Sequence, residues 1–117
     1  MSDCIFCKIV KKEILTEFLY EDELVVAFED IKPMAPVHVL IIPKKHIESV
    51  AKLKEDGERL TGRMIMAAKN LAEKMKIARS GYKLLFRVGT NGGQEVPHIH
   101  LHLIGGAKLS ENIKPIK

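Results

Sequence analysis

The stretch "PHIHLHLIGG", residues 97–106, places histidine at 98, 100 and 102 with an aliphatic residue after each. Strict alternation is the period of a β-strand, whose successive side chains point to opposite faces. His98, His100 and His102 then share one face, while Ile99, Leu101 and Leu103 share the other and pack into a core. Along a strand the three imidazoles stand about 6.5–7 Å apart. Three uses fit that row. It can be a half-exposed polar face with no chemical role, or a pair of ligands to a catalytic zinc with one position open. It can also hold a nucleophilic imidazole whose neighbours donate hydrogen bonds to developing charge.

The loop before it, "GTNGGQEVP" (89–97), is poor in side chains at Gly92-Gly93. Backbone N–H groups there can approach a phosphate closely, as glycine-rich nests do. Beside three facing histidines, such a loop favours a phosphate-handling site.

Outward from this centre the chain alternates strand and helix signals. "YKLLFRV" (82–88) reads as a strand, and "VHVLIIP" (37–43) as a buried one that follows the two prolines of "IKPMAP". "TEFLYED" and "LVVAFED" read as two more strands joined at Glu21-Asp22-Glu23. From Glu58 to about Lys76, Leu60, Met64, Ala67, Ala68, Leu71 and Met75 recur at helical spacing, with Ser80-Gly81 as the stop. Asp3 caps a short helix to about Val10 whose apolar side is Ile5, Phe6 and Ile9. The expected class is α+β: an antiparallel sheet of about five strands with one long and one short helix.

The 117 residues fit one domain over 1–117 with a modest core and a tail from about residue 107. No repeat, low-complexity run or linker interrupts them. The net charge of +4 is mild and the lysines are dispersed, so neither nucleic acid nor a membrane is an expected partner. "MSDCIFCKIV" has no long apolar run and so no export signal, which places the chain in the cytoplasm. In that reducing compartment Cys4-x-x-Cys7 reads as a metal or redox site rather than a disulfide, and on a helix both thiols share one face.

"HIHLHLI" resembles the His-φ-His-φ-His-φ-φ pattern (φ hydrophobic) of the histidine triad (HIT) proteins. "CIFCKIVKKEI", "FEDIKPMAPVHVLIIPKKHI" and "GGQEVPHIHLHLIGG" resemble, in the same order, blocks of their nucleotide-binding Hint branch. The likeness covers nearly the whole chain and weakens only after Gly106. It implies the HIT-like fold, a homodimer, and hydrolysis at the α-phosphate of a purine nucleotide substrate. A purine nucleoside phosphoramidate would release AMP or GMP and an amine.

By the same resemblance His100 is the nucleophile, forming a transient nucleotidyl-histidine, and His102 hydrogen-bonds the phosphoryl oxygens. His38 is either an orienting histidine behind the triad or a satisfied core histidine. Asp30 matches the residue that binds ribose hydroxyls, as a carboxylate can by accepting from both. Ile5, Phe6, Ile9, Phe28 and Ile31 match the slot around the base, though plain core packing explains each equally well. Gly93, Gln94 and Glu95 would lie beside the phosphate, with Glu95 meeting a cationic leaving group rather than the anion. Cys4, Cys7, His46 and His98 match the ligands of a structural zinc, which leaves His100 free and the chemistry independent of metal.

Two departures stand out. Arg87 replaces an asparagine usual in the Hint branch, and the tail "AKLSENIKPIK" lacks the aromatic ending of some relatives. The other readings kept open are a dinucleoside polyphosphate hydrolase and a zinc-bearing nucleotide-binding or interaction module with negligible turnover.

Overall fold

Near-continuous runs of buried residues in the central strands build a sheet that is covered on both sides. The computed structural model describes residues 3–116. Its elements are α1 (Ile5–Val10), β1 (Tyr20–Glu21), β2 (Val25–Glu29), β3 (Val37–Pro43), α2 (Gly57–Lys74), β4 (Tyr82–Phe86) and β5 (Leu101–Gly105). The strands form one antiparallel sheet in the order β1-β2-β3-β5-β4, so β5 inserts between β3 and β4. The α+β class and the strand count are those the sequence predicts.

One face carries Val25, Ala27, Val39, Ile41, Leu101 and Leu103, and α2 packs on it through Leu60, Met64, Ala67, Ala68 and Leu71. The opposite face carries Val26, Phe28, Leu40 and Ile42 and is covered by Phe6 and Ile9 of α1. Each buried aliphatic side chain contributes about 1.5–3 kcal/mol, so both layers are needed in so small a protein. The β3–β5 register sets Leu40 opposite His102 and His38 opposite Ile104. The histidines therefore look toward the α1 side.

The elements differ from the sequence expectation at their ends. Cys4, not Asp3, caps α1, and its Sγ accepts the Cys7 N–H at 3.4 Å. β1 is two residues rather than seven, because only Tyr20 and Glu21 find ladder partners, with one further bond from Leu19 N–H to the Ala27 carbonyl. α2 ends at Lys74 rather than near Lys76, where the left-handed φ of 65° at Lys76 breaks the helix before Ser80-Gly81.

The last strand begins at Leu101, not His98. Ile41 and Phe86 are the last partners on either side, and both pair with Leu101. His98 to His100 run beyond the ladder, held by His98 N–H to the Val96 carbonyl and Ile99 N–H to the Ile47 carbonyl. No helix among the described residues is long and apolar enough to cross a membrane.

Candidate active site and metal centre

α1 lies over the histidine face and dries it. His98, His100 and His102 are 0%, 8% and 7% exposed, which removes the half-exposed polar strand from consideration. The Phe6 ring meets His98 and His100 edge-on, with centroids 5.8 and 5.1 Å away.

Hydrogen bonds fix which nitrogen of each neutral ring carries the proton. The Met34 N–H donates to His38 Nδ1 at 3.1 Å, so His38 holds its hydrogen on Nε2. That N–H points at His102 Nδ1, 2.9 Å away, with an Asp30 carboxylate oxygen at 3.5 Å. His102 thus accepts at Nδ1 and keeps its hydrogen on Nε2, a buried atom with no partner among the described residues. His100 Nδ1 lies 2.8 Å from the His98 carbonyl, which can only accept. His100 therefore donates from Nδ1 and carries a lone pair on Nε2. An Nε2 lone pair and an Nε2–H donor stand side by side, their ring centroids 5.0 Å apart.

Burial favours the uncharged form of these rings. It lowers the pKa of His100, with Arg87 acting in the same direction and the His98 carbonyl, Asp30 and Glu95 opposing. It brings His102 down to about 4, assisted by His100, His38 and Arg87. His38 is lowered by burial and by Arg87 against Asp30. A buried donor without an acceptor costs roughly 1–3 kcal/mol, so the His102 N–H favours any ligand that brings an oxygen to it.

The ligand atoms of Cys4, Cys7, His46 and His98 lie within 4.8 Å of one another. Cys4 Sγ is 3.4 Å and Cys7 Sγ 3.6 Å from His98 Nδ1, Cys7 Sγ is 3.2 Å from His46 Nδ1, and the two Nδ1 atoms are 3.2 Å apart. A tetrahedral zinc with bonds of about 2.0–2.3 Å sets its ligand atoms about 3.3–3.8 Å apart, and the cluster fits that frame. His98 Nε2 donates to the Pro43 carbonyl at 2.9 Å, which turns the Nδ1 lone pair toward the cysteines. Burial and the neighbouring Cys4 push the Cys7 thiol up, a conflict that a shared cation relieves.

Residues 11–109 match the HIT domain family model. The chain belongs to the HIT family. A purine nucleoside phosphoramidase of Escherichia coli (strain K12) is 47% identical over 108 residues, covering 92% of this chain and 91% of that protein. A solved HIT family hydrolase from Legionella pneumophila Philadelphia 1 has a TM-score of 0.90 at 45% identity, covering 93% of this chain and 97% of its own. A histidine triad protein from Clostridium difficile has a TM-score of 0.92 at 36% identity, covering 96% of this chain and 97% of its own. The chain is an enzyme of the HIT hydrolase type. Its cysteine pair lies before the first residue of the family match.

Around the HIT triad the other predicted residues take several positions. Asp30 is half-buried beside His38, and its second oxygen accepts the Lys32 N–H at 2.9 Å. Phe6, Ile9 and Phe28 belong to the core layer under α1, whereas Ile5 and Ile31 are 45% and 89% exposed. Glu95 is exposed and lines a cavity of about 880 Å³ with Asp3, Cys4, Ile5, His46, Glu48, Val96 and Pro97.

Gly93, with φ 82°, donates its N–H to the Thr90 carbonyl, and the Gln94 N–H goes to the Gly89 carbonyl. The Gln94 side chain is also occupied: Oε1 accepts the Gly89 N–H, and Nε2 donates to the Glu48 and Val96 carbonyls. These N–H groups close the turn. Sequence reasoning missed the Met34 N–H and the Pro43 carbonyl that set the ring tautomers. Any backbone group can play those parts, so no side-chain signal marks them.

Proposed function

We propose that this HIT enzyme hydrolyses nucleotides at the α-phosphate, with purine nucleoside phosphoramidates as substrates. The observation that carries the reading is the Nε2 lone pair of His100 beside the Nε2–H of His102, both rings buried and the latter without a partner among the described residues. The first is a nucleophile, and the second waits for a phosphoryl oxygen. The likeness to a purine nucleoside phosphoramidase supports the substrate class.

His100 Nε2 attacks the α-phosphorus with its lone pair as the phosphorus–nitrogen bond of the substrate breaks. The amine leaves with that electron pair and a proton taken from solvent. Water then attacks the nucleotidyl-histidine, its oxygen bonding to phosphorus and its proton released, and the neutral imidazole returns with AMP or GMP. His38 acts as a positioning residue by holding His102 in the donating tautomer. Asp30 accepts from the ribose hydroxyls, Ile5 and Ile31 flank the base above Phe6, Ile9 and Phe28, and Glu95 meets a cationic leaving group.

Zinc on Cys4, Cys7, His46 and His98 is structural in this reading, tying α1 to the lead-in of β5. Thiolate ligands need a reducing compartment, which supports a cytoplasmic location. The chain acts as one domain and pairs as a homodimer. The free edge of β4 and the exposed Ile65 and Met66 of α2 support that pairing.

Turnover of adenosine 5'-phosphoramidate tests the proposal. Wild type should release AMP and the amine, and His100→Ala should lose roughly a thousandfold or more of the rate. Equal rates would remove His100 as nucleophile. AMP binding without turnover would make the chain a binding module.

A further inference from the structure

Just past the ladder from which His100 emerges stands a cation with no counter-ion among the described residues. β4 and β5 pair Leu85 with His102 and Phe86 with Leu101. Arg87 and His100 each stand one residue beyond this last pair, at the same end of the ladder, while Leu84 and Phe86 pack into the α2 layer. Arg87 is half-buried and has no carboxylate partner among the described residues, whereas Arg59 and Arg63 pair with Glu23 and Asp22.

Its guanidinium lies along the glycine loop. A Cβ built on Gly93 would sit 3.6 Å from both Arg87 Cδ and Nη1, so the bare Gly93 backbone forms a floor for the arginine. Its charge reaches His38, His100 and His102, the same three rings that the Asp30 carboxylate reaches. No ion pair joins Arg87 to Asp30 among the described residues. Two opposite charges therefore address one pocket without neutralising each other. The loop N–H groups of Gly93 and Gln94 are already used within their turn, so an anion here needs another donor.

We propose that Arg87 is the phosphate-binding residue that makes this pocket charge-selective, its guanidinium taking the non-bridging oxygens of the α-phosphate while Asp30 takes the ribose hydroxyls. A planar guanidinium can donate two parallel hydrogen bonds to such oxygens. The assignment rests on the nucleotide reading above and adds its selectivity: anionic nucleotides are held more tightly than neutral nucleosides.

Binding of AMP and of adenosine to wild type, Arg87→Ala, Arg87→Gln and Arg87→Lys by calorimetry is the test. Wild type should prefer AMP. Arg87→Ala and Arg87→Gln should weaken AMP by roughly ten- to a hundredfold, as loss of a charge-assisted contact does, and leave adenosine unchanged. Arg87→Lys should keep part of the preference. Unchanged adenosine affinity shows the pocket intact, and Arg87→Gln, which keeps most of the side-chain length, serves if the alanine variant does not fold. If wild type prefers AMP and the variants retain the full preference, the role of Arg87 is overturned while the nucleotide reading stands. If wild type binds neither ligand or does not distinguish them, both are overturned.

Discussion

His100 keeps its proton on the nitrogen that faces the His98 carbonyl, and the ring of that same His98 faces the two cysteines. One residue thus contributes its side chain to the metal cluster and its backbone to the orientation of the neighbouring imidazole. The far nitrogen of His100 must be unprotonated to attack. Burial lowers its pKa below the ordinary histidine value of 6.5, and a cation on His98 would act in the same direction. The neutral form therefore persists to lower pH than in a free histidine. The dependence of kcat/KM on pH should fall on acidification with its midpoint below the ordinary histidine value. A fall centred at or above the ordinary value would contradict the burial argument.

Between elements, the turn from β1 to β2 is anchored by Asp22. Its carboxylate accepts from the Tyr20 hydroxyl at 2.6 Å, the Leu24 and Val25 N–H groups at 2.7 and 2.9 Å, and Arg63 of α2 at 2.7 Å. Burial works against the charge, but those hydrogen bonds prevail and hold the carboxyl well below the usual carboxylate range. Because the folded pKa is depressed, the stabilisation is present above the unfolded value of about 3.9 and is lost as pH falls through the folded one. Asp22→Asn should cost roughly 2–3 kcal/mol at neutral pH by chemical denaturation, and less at pH 3. A penalty independent of pH would place the effect in packing rather than in the carboxylate.

The same elements show what the sequence makes legible. Near-continuous apolar runs such as "VHVLIIP" locate their strands because both faces are buried, and the Leu60–Leu71 stripe locates α2. Ends are less legible. Whether His98 lies in a ladder depends on where β3 and β4 stop, a long-range fact. The candidate site was legible wherever chemistry needs a particular side chain, as with the triad and Cys4-x-x-Cys7. It was not legible where any backbone N–H or carbonyl serves, as at Met34 and Pro43. Gly92-Gly93 is the signature of a tight turn as much as of a phosphate loop, so the pair alone does not separate the two. A Cβ on Gly92 would lie 2.4 Å from the Val88 carbonyl oxygen.

Across the whole molecule, the cysteine–histidine cluster joins α1, the segment after β3 and the lead-in to β5. Since α1 is only six residues long and covers the triad, its attachment matters to the entire site. Purified protein should carry roughly one zinc per chain by elemental analysis. Cys4→Ser should lose the metal and lower the melting temperature by about 5 °C or more. Metal-free wild type melting like the variant would support this, and no zinc in either protein would sink the assignment.

The central claim for the molecule as an enzyme is that His100 is covalently nucleotidylated in the reaction. Two successive in-line displacements, first by imidazole and then by water, return phosphorus to its original hand, whereas a single attack by water inverts it. The direct measurement is hydrolysis of an adenosine phosphoramidate made chiral at phosphorus with sulfur, in isotopically labelled water. The account predicts retention of configuration. Inversion would contradict it.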